Sequence, residues 1–221
     1  MTRTHFDQQL EDIQEDMLNL ALQVEVAMER SVEALSEHNE ALAKQVIEDD
    51  IQINEKRYEI EETCLELIAT QQPLAGDLRT IASVLHIVVD LERMGDYAEG
   101  IARVALMMPD EAPLMSYEGI RRMAEITKGM MLASLEAFKD RDTARAREIA
   151  DEDDRVDELY DTILSELLAL MTEDKTKIER ATHLTWVAHN LERIADRVTN
   201  ICERIVYLVD GTIGEMNVSK Y

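Results

Sequence analysis

From Asp7 to Glu37 the apolar residues Leu10, Ile13, Met17, Leu20, Val24, Met28, Val32 and Leu35 recur at steps of three and four, with charged and amide residues between them. A 3.6-residue period puts all of them on one face, so the segment reads as a long amphipathic helix. Thr4 and Asp7 stand in capping-box spacing at its start. The pattern breaks near Asn39, a residue type whose side chain accepts from the first free amides of a helix, and a second helix is expected from about Glu40. Pro73 separates that helix from a third, which runs to about Leu106.

The plan returns in the second half. Met28, Ser31, Glu33, Ala34, Ala41 and Asp50 match Met131, Ser134, Glu136, Ala137, Ala144 and Asp153, each 103 residues on. Further along, Leu91-Glu92-Arg93 with Asp96 matches Leu191-Glu192-Arg193 with Asp196, now 100 residues on. The slip of three falls between about Ile68 and Asp90. Its simplest place is the connection around Gln71, Gln72 and Pro73, because a duplication keeps its helices and alters its loops. Asp142 then stands where Asn39 stands, capping a helix that starts near Thr143, and Asp174 is a candidate cap for the last helix. Met108-Pro109-Asp110-Glu111-Ala112-Pro113 is the stretch with two prolines and marks the junction. Helices of about 30 residues span roughly 45 Å and, with short connections, pack antiparallel. The expected fold is all-α: two tandem three-helix bundles related by a pseudo-twofold internal repeat. Residues 1–108 form the first bundle, 109–113 the linker, 114–210 the second bundle and 211–221 a frayed tail.

Composition adds constraints. With 7 Gly and 3 Pro in 221 residues the chain has few turn formers. Its 47 acids against 23 bases give a formal charge of -24, which repels a phosphate backbone and points toward cations or basic protein surfaces rather than nucleic acid. Cys64 and Cys202 lie inside helical patterns without zinc-knuckle spacing. No apolar signal core opens the chain and no run of about 18 apolar residues occurs, so a reduced, cytoplasmic setting is expected. The 12 methionines read as adaptable core filling, with an exposed Met-rich binding face as the alternative.

Candidate chemistry rests on carboxylates at helical spacing. Glu92 and Asp96 share a helix face, as do Glu192 and Asp196; Asp50 and Asn54 do the same on the preceding helix, matched by Asp153 and Asp157. Two antiparallel helices that each present oxygens at i and i+4 can converge on a cation. Like charges so spaced cost a few tenths of a kcal/mol per pair in an isolated helix, and their recurrence calls for compensation. A hard ion (magnesium, manganese, calcium or iron) would supply it, since no thiolate or histidine cluster favours zinc. From Asp151 to Asp161 the chain holds seven acids and one base, Arg155. The plainer reading is a solvated or ion-paired surface, with Arg93, Arg193 and Arg197 near in sequence. A metal-dependent phosphohydrolase is a further alternative, as is a helical chaperone or structural dimer with no metal role. Catalysis has the weaker case: there is no Gly-rich phosphate loop and no nucleophile with a base partner. His86 and His189 read as ordinary core or boundary residues.

Pro73, Asp77-Leu78-Arg79 and Asp90-Leu91-Glu92-Arg93-Met94-Gly95-Asp96, echoed by Asn190-Leu191-Glu192-Arg193-Ile194-Ala195-Asp196 and Asn200-Ile201, resemble the PhoU family of phosphate-signalling regulators. The likeness runs from about Phe6 to Val209. It implies two PhoU domains, each a three-helix bundle, in a non-enzymatic cytoplasmic protein that in some members binds metal clusters on its acidic surface. Asp50, Asn54, Glu92, Asp96, Asp153, Asp157, Glu192, Asp196 and Asn200 are the candidate ligands. It further implies a negative regulator of phosphate uptake acting between the transporter ATPase PstB and the sensor kinase PhoR. A homodimer is expected, reaching the membrane only through partners. Three departures stand out: Asn54 replaces the carboxylate present at Asp157, Gly100 stands where Asn200 stands, and the second copy lacks the proline and the Asp-Leu-Arg run.

Overall fold

A computed structural model describes residues 3–108, 111–212 and 214–216. The described regular elements are helical: α1 (Arg3–Glu37), α2 (Glu40–Gln71), α3 (Gly76–Met107), α4 (Glu118–Asp140), α5 (Thr143–Asp151), α6 (Asp153–Glu173), a 3-10 turn (Lys175–Lys177) and α7 (Ile178–Asp210). All eight apolar residues of the first stripe are buried. Buried Phe6 extends that stripe a turn upstream, so α1 begins at Arg3 and Thr4 lies inside the helix rather than capping it.

The repeat seen in the sequence is a repeat of hydrogen bonds. His38 and Arg141, each with φ 53°, close the ends of α1 and α4 in the left-handed conformation. The amides that follow, Asn39 N and Asp142 N, donate back to Ala34 O and Ala137 O, both at 2.9 Å, the 6→1 bond of a helix terminator. Asn39 Oδ1 then accepts from Leu42 N at 3.1 Å and Asp142 Oδ1 from Arg145 N at 2.9 Å, so one residue ends one helix and starts the next. Upstream, Ser31 Oγ and Ser134 Oγ donate to Met28 O and Met131 O, each at 2.7 Å.

Two features depart from the expected layout. The helix from Thr143 breaks at Glu152, where Glu152 N bonds Ile149 O and Arg155 N bonds Glu152 O, both at 3.1 Å. These i→i+3 bonds tighten the turn within the acidic run, where like charges on successive turns oppose a regular helix. Asp174 caps the 3-10 turn rather than α7 directly: its Oδ1 accepts from Thr176 N at 3.0 Å and Thr176 Oγ1 at 2.7 Å. With Asp174 that turn replaces the Gln72–Ala75 connection at the same length of four residues, so the slip of three lies in the helices instead: α6 ends one residue sooner after Asp153 than α2 does after Asp50, and α7 starts two residues nearer Leu191 than α3 does to Leu91.

Helices α1 and α2 pack on α3; α4, α5 and α6 pack on α7; and α3 and α7 lie against each other, with α1 also touching α4. The order of contacts makes α3 and α7 antiparallel. Arg79 Nε donates to Leu208 O and Ser83 Oγ to Arg204 O, both at 3.3 Å, and Asp90 Oδ1 accepts from Arg197 Nη1 at 3.2 Å and Asn200 Nδ2 at 3.1 Å. Further along α3, Gly100 closes on Asn190. Exchanging each residue for its counterpart 100 positions away turns the Asp90–Asn200 pair into the Asn190–Gly100 contact, which is the pseudo-twofold relation at residue level. One continuous apolar core runs from Phe6 to Leu208 and takes in Met17, Met28, Met94, Met123, Met130 and Met131. Residues 109–110 of the linker, and 213 and 217–221 of the tail expected to fray, lie outside the described residues. Within the described tail Met216 packs on the core and its amide donates to Glu203 Oε1 at 2.8 Å. No helix among the described residues is long and apolar enough to cross a membrane.

Two acidic clusters as candidate functional sites

Where α2 crosses α3, Asp50 faces Glu92, Asp96 and Glu99. Asn54 Nδ2 donates to Asp50 Oδ2 at 2.8 Å and to Asp50 O at 3.1 Å, which leaves Asp50 Oδ1 buried with no hydrogen-bond partner. The close approach depends on Gly95: a Cβ there would stand 3.2 Å from Asp50 Oδ1 and 3.1 Å from Ile53 Cγ2. Burial, then the charges of Asp96, Glu99 and Glu92, push the Asp50 carboxyl up to about 6. Glu92 and Asp96 are also raised, first by burial; Arg57 and Arg93 offset this in part at Glu92, and Arg93 does so at Asp96.

The second cluster lies where α6 meets α7 and is more enclosed. Asp153 is only 5% exposed, and its Oδ1 has no hydrogen-bond partner. Burial, followed by the charges of Asp157, Asp196, Glu192 and Asp154, pushes it up to about 7. Glu192 also rises to about 7, through burial and Asp196. Its buried Oε2 makes no hydrogen bond, although His189 Nδ1 stands 3.4 Å away. Burial and then Arg193 hold that imidazole below its ordinary range, so the contact is with a neutral ring and supplies no countercharge. Asp196 takes a 2.6 Å ion pair from Arg193 and is still raised by burial. Arg193 also donates to Tyr97 on α3, as does Arg197; burial raises that phenol, but the two guanidinium bonds outweigh it and leave it below the ordinary tyrosine range.

Eight of the nine sequence candidates thus fall into two groups, Asp50, Asn54, Glu92 and Asp96 in one and Asp153, Asp157, Glu192 and Asp196 in the other. Asn200 stands apart, donating to Asp90 at the α3–α7 contact. Two residues join the clusters that the sequence does not place there: Glu99, a turn beyond Asp96 and ion-paired with Arg103, and His189, read as an ordinary core or boundary residue but exposed a turn before Glu192, with its ring 6.2 Å from that of Tyr160. The repeat could not have marked them, because their counterparts are Thr199 and Val89. Buried, unpartnered carboxylate oxygens at two equivalent crossings suit a hard cation or a shared proton. Among the described residues no three His, Cys, Asp or Glu side chains form a ready coordination shell, so holding an ion would require some of them to turn. Cys64 and Cys202 are buried, and burial pushes both thiols up to about 12, which leaves them unreactive.

The PhoU domain family model matches residues 17–105 and 120–205. The chain is 42% identical over 205 residues to a phosphate-specific transport system accessory protein PhoU homolog of Aquifex aeolicus, covering 93% of each. A homolog of the same description from Clostridium acetobutylicum is 38% identical, across 98% of this chain and 100% of its own. Among solved structures, the phosphate transport system regulatory protein PhoU from Streptococcus pneumoniae superposes with a TM-score of 0.90 at 32% identity, covering 96% of this chain and 100% of that one. PhoU from Pseudomonas aeruginosa gives 0.89 at 38% identity, covering 94% and 100%.

Proposed function

The chain belongs to the PhoU family of phosphate-transport accessory proteins, and on that premise we propose that it is a cytoplasmic, non-catalytic negative regulator of phosphate uptake and of the phosphate-starvation response. It acts between the transporter ATPase PstB and the sensor kinase PhoR, as a homodimer that meets the membrane only through these partners. The observation that carries the reading is the match of both PhoU domains to transport accessory proteins at 42% and 38% identity.

The acidic clusters supply its chemistry in this reading. Asp50, Glu92 and Asp96 with Asn54, and Asp153, Asp157, Glu192 and Asp196, hold hard cations, with iron, magnesium, manganese or calcium as the candidates. A bound cation would neutralise carboxylates that are buried against one another. The second cluster binds more firmly, because it offers Asp157 where the first has an amide and its Asp153 is the more deeply buried. The orphan oxygens of Asp50, Asp153 and Glu192 support this assignment.

The test replaces Glu92, Asp96, Glu192 and Asp196 together with their amides. The variant is expected to keep its melting transition, lose cation uptake by elemental analysis and derepress a phosphate-starvation reporter in phosphate-rich medium. Full repression by the folded variant would reduce these residues to surface charge. Metal-dependent turnover of a generic phosphate ester, lost in the same variant, would favour a phosphohydrolase instead.

A further inference from the structure

Helix α2 carries two apolar stripes. Val46, Ile53, Ile60 and Leu67, spaced by seven, are buried on the face that packs against α1 and α3. On the opposite face Ile51, Tyr58 and Leu65 are also spaced by seven, yet remain 61%, 60% and 57% exposed. Single exposed apolar side chains are ordinary on a protein surface. Three in a line about 21 Å long, at the repeat of a helix–helix seam, are not scattered. Arg57 stacks on the Tyr58 ring, 4.6 Å from its centroid, and steadies it in the line. Beside the stripe run Glu48, Glu55 and Glu62, again seven apart, with Glu59 and Glu66 further round the helix; all five are exposed.

We propose that this outward face of α2 is a docking seam for an amphipathic helix of a partner protein whose flanks carry Lys and Arg. Charge decides between occupants. A second copy of the chain would bring the same glutamate row against itself, and an anionic lipid surface would be repelled by it. A basic-flanked helix instead buries its apolar edge on Ile51, Tyr58 and Leu65 while its cations meet the glutamates, the helix-on-helix form of recognition. The seam stands on α2 alone and is independent of the phosphate-regulatory reading.

The probe is a labelled synthetic helical peptide of about three heptads, with leucine on one face and lysine on both flanks, titrated against the full chain by fluorescence anisotropy. Binding is expected, and it should weaken by about tenfold or more in Ile51→Ser/Tyr58→Ser/Leu65→Ser. The charge reversal Glu48→Lys/Glu55→Lys/Glu62→Lys should weaken it too, giving a second variant should the first not melt as a folded protein. Leu168→Ser/Trp186→Ser, at exposed apolar residues elsewhere, should leave binding unchanged. Four outcomes overturn the proposal: no binding, equal binding by wild type and both α2 variants, equal binding of a glutamate-flanked peptide, or a dimer in sedimentation that the triple serine variant abolishes.

Discussion

The amide nitrogen of Asn190 lies 2.8 Å from the point where a Cβ on Gly100 would stand. Its pseudo-symmetric partner contact is a hydrogen bond, Asn200 Nδ2 to Asp90 Oδ1 at 3.1 Å. One half of the molecule fills this crossing with a polar pair, whereas the other closes it with a glycine. Gly100→Asn therefore overpacks the crossing and should cost about 1–3 kcal/mol in urea unfolding. Adding Asn190→Asp recreates the chemistry of the Asp90–Asn200 pair and should restore about 1 kcal/mol, less than a full charged bond because Tyr97 stands where Arg197 stands opposite. The double-mutant cycle reads the coupling. A double variant no more stable than Gly100→Asn alone would confine the symmetry to the backbone.

Stability should fall as pH rises. Asp153 and Glu192 titrate at about 7 and Asp50 at about 6 in the folded chain, above their ordinary values of 3.8 for Asp and 4.5 for Glu. Between those limits the native state holds protons that the unfolded chain has released, so the stabilisation is full below about pH 4 and is lost as pH rises through 6–7. In chelator, the melting temperature at pH 8 should lie below that at pH 5.5, and Asp153→Asn should flatten the difference. Manganese or magnesium should raise the melting temperature more at the higher pH, because its ligands must be deprotonated. No response at either pH would remove the cation from the proposed function.

Ala75 is a site of stored strain. It sits at φ 47°, ψ -110° in the turn closed by Asp77 N donating to Leu74 O at 3.2 Å, a conformation that suits glycine. Ala75→Gly should stabilise the protein by about 1 kcal/mol despite the greater freedom it gives the unfolded chain. A lower urea midpoint would show that the turn does not hold alanine in this geometry.

What could be read in the sequence was local in the chain. Asn39 and Asp142 cap helices whose first amides lie three residues away, so residue type and position were enough to place them. The stripe from Leu10 to Leu35 worked for the same reason, one helix facing one core. Asn200 shows where this stops. Steps of four advance about 40° beyond a full turn, so two steps from Glu192 carry Asn200 roughly 80° round α7, off the α6 crossing and onto α3. The Asp90 that receives it is 110 residues away, and no periodicity within a helix encodes that meeting. The sequence passes over Glu99 and reads His189 as an ordinary core or boundary residue, because each cluster recruits a neighbour its copy lacks.

The units 1–108 and 114–210 should each hold helical structure yet stay together when the chain between them is cut. The repeat makes each half a helical set packed on α3 or α7, the second half's middle helix being divided into α5 and α6 at Glu152, and this favours helix retention in isolation. Yet α3 and α7 meet along their length, from Arg79–Leu208 to Gly100–Asn190, and the apolar core passes between them without interruption. Parting them would expose that apolar face to water at about 25 cal/mol per Å². Lys128 adds a second tie, pairing from α4 with Glu25 at 2.6 Å and Glu29 at 3.1 Å on α1, and Glu25 is otherwise buried. A protease site placed between Met108 and Pro113 should yield two fragments that co-elute in native size exclusion, part only in denaturant, and reassociate when mixed after separate expression. Lys128→Met should loosen the complex, since it leaves the Glu25 carboxylate in place without its cation. Fragments that fold but elute apart would make the α3–α7 contact a docking surface that depends on the covalent link. Fragments that lose their helical circular dichroism when separated would make the two halves one folding unit.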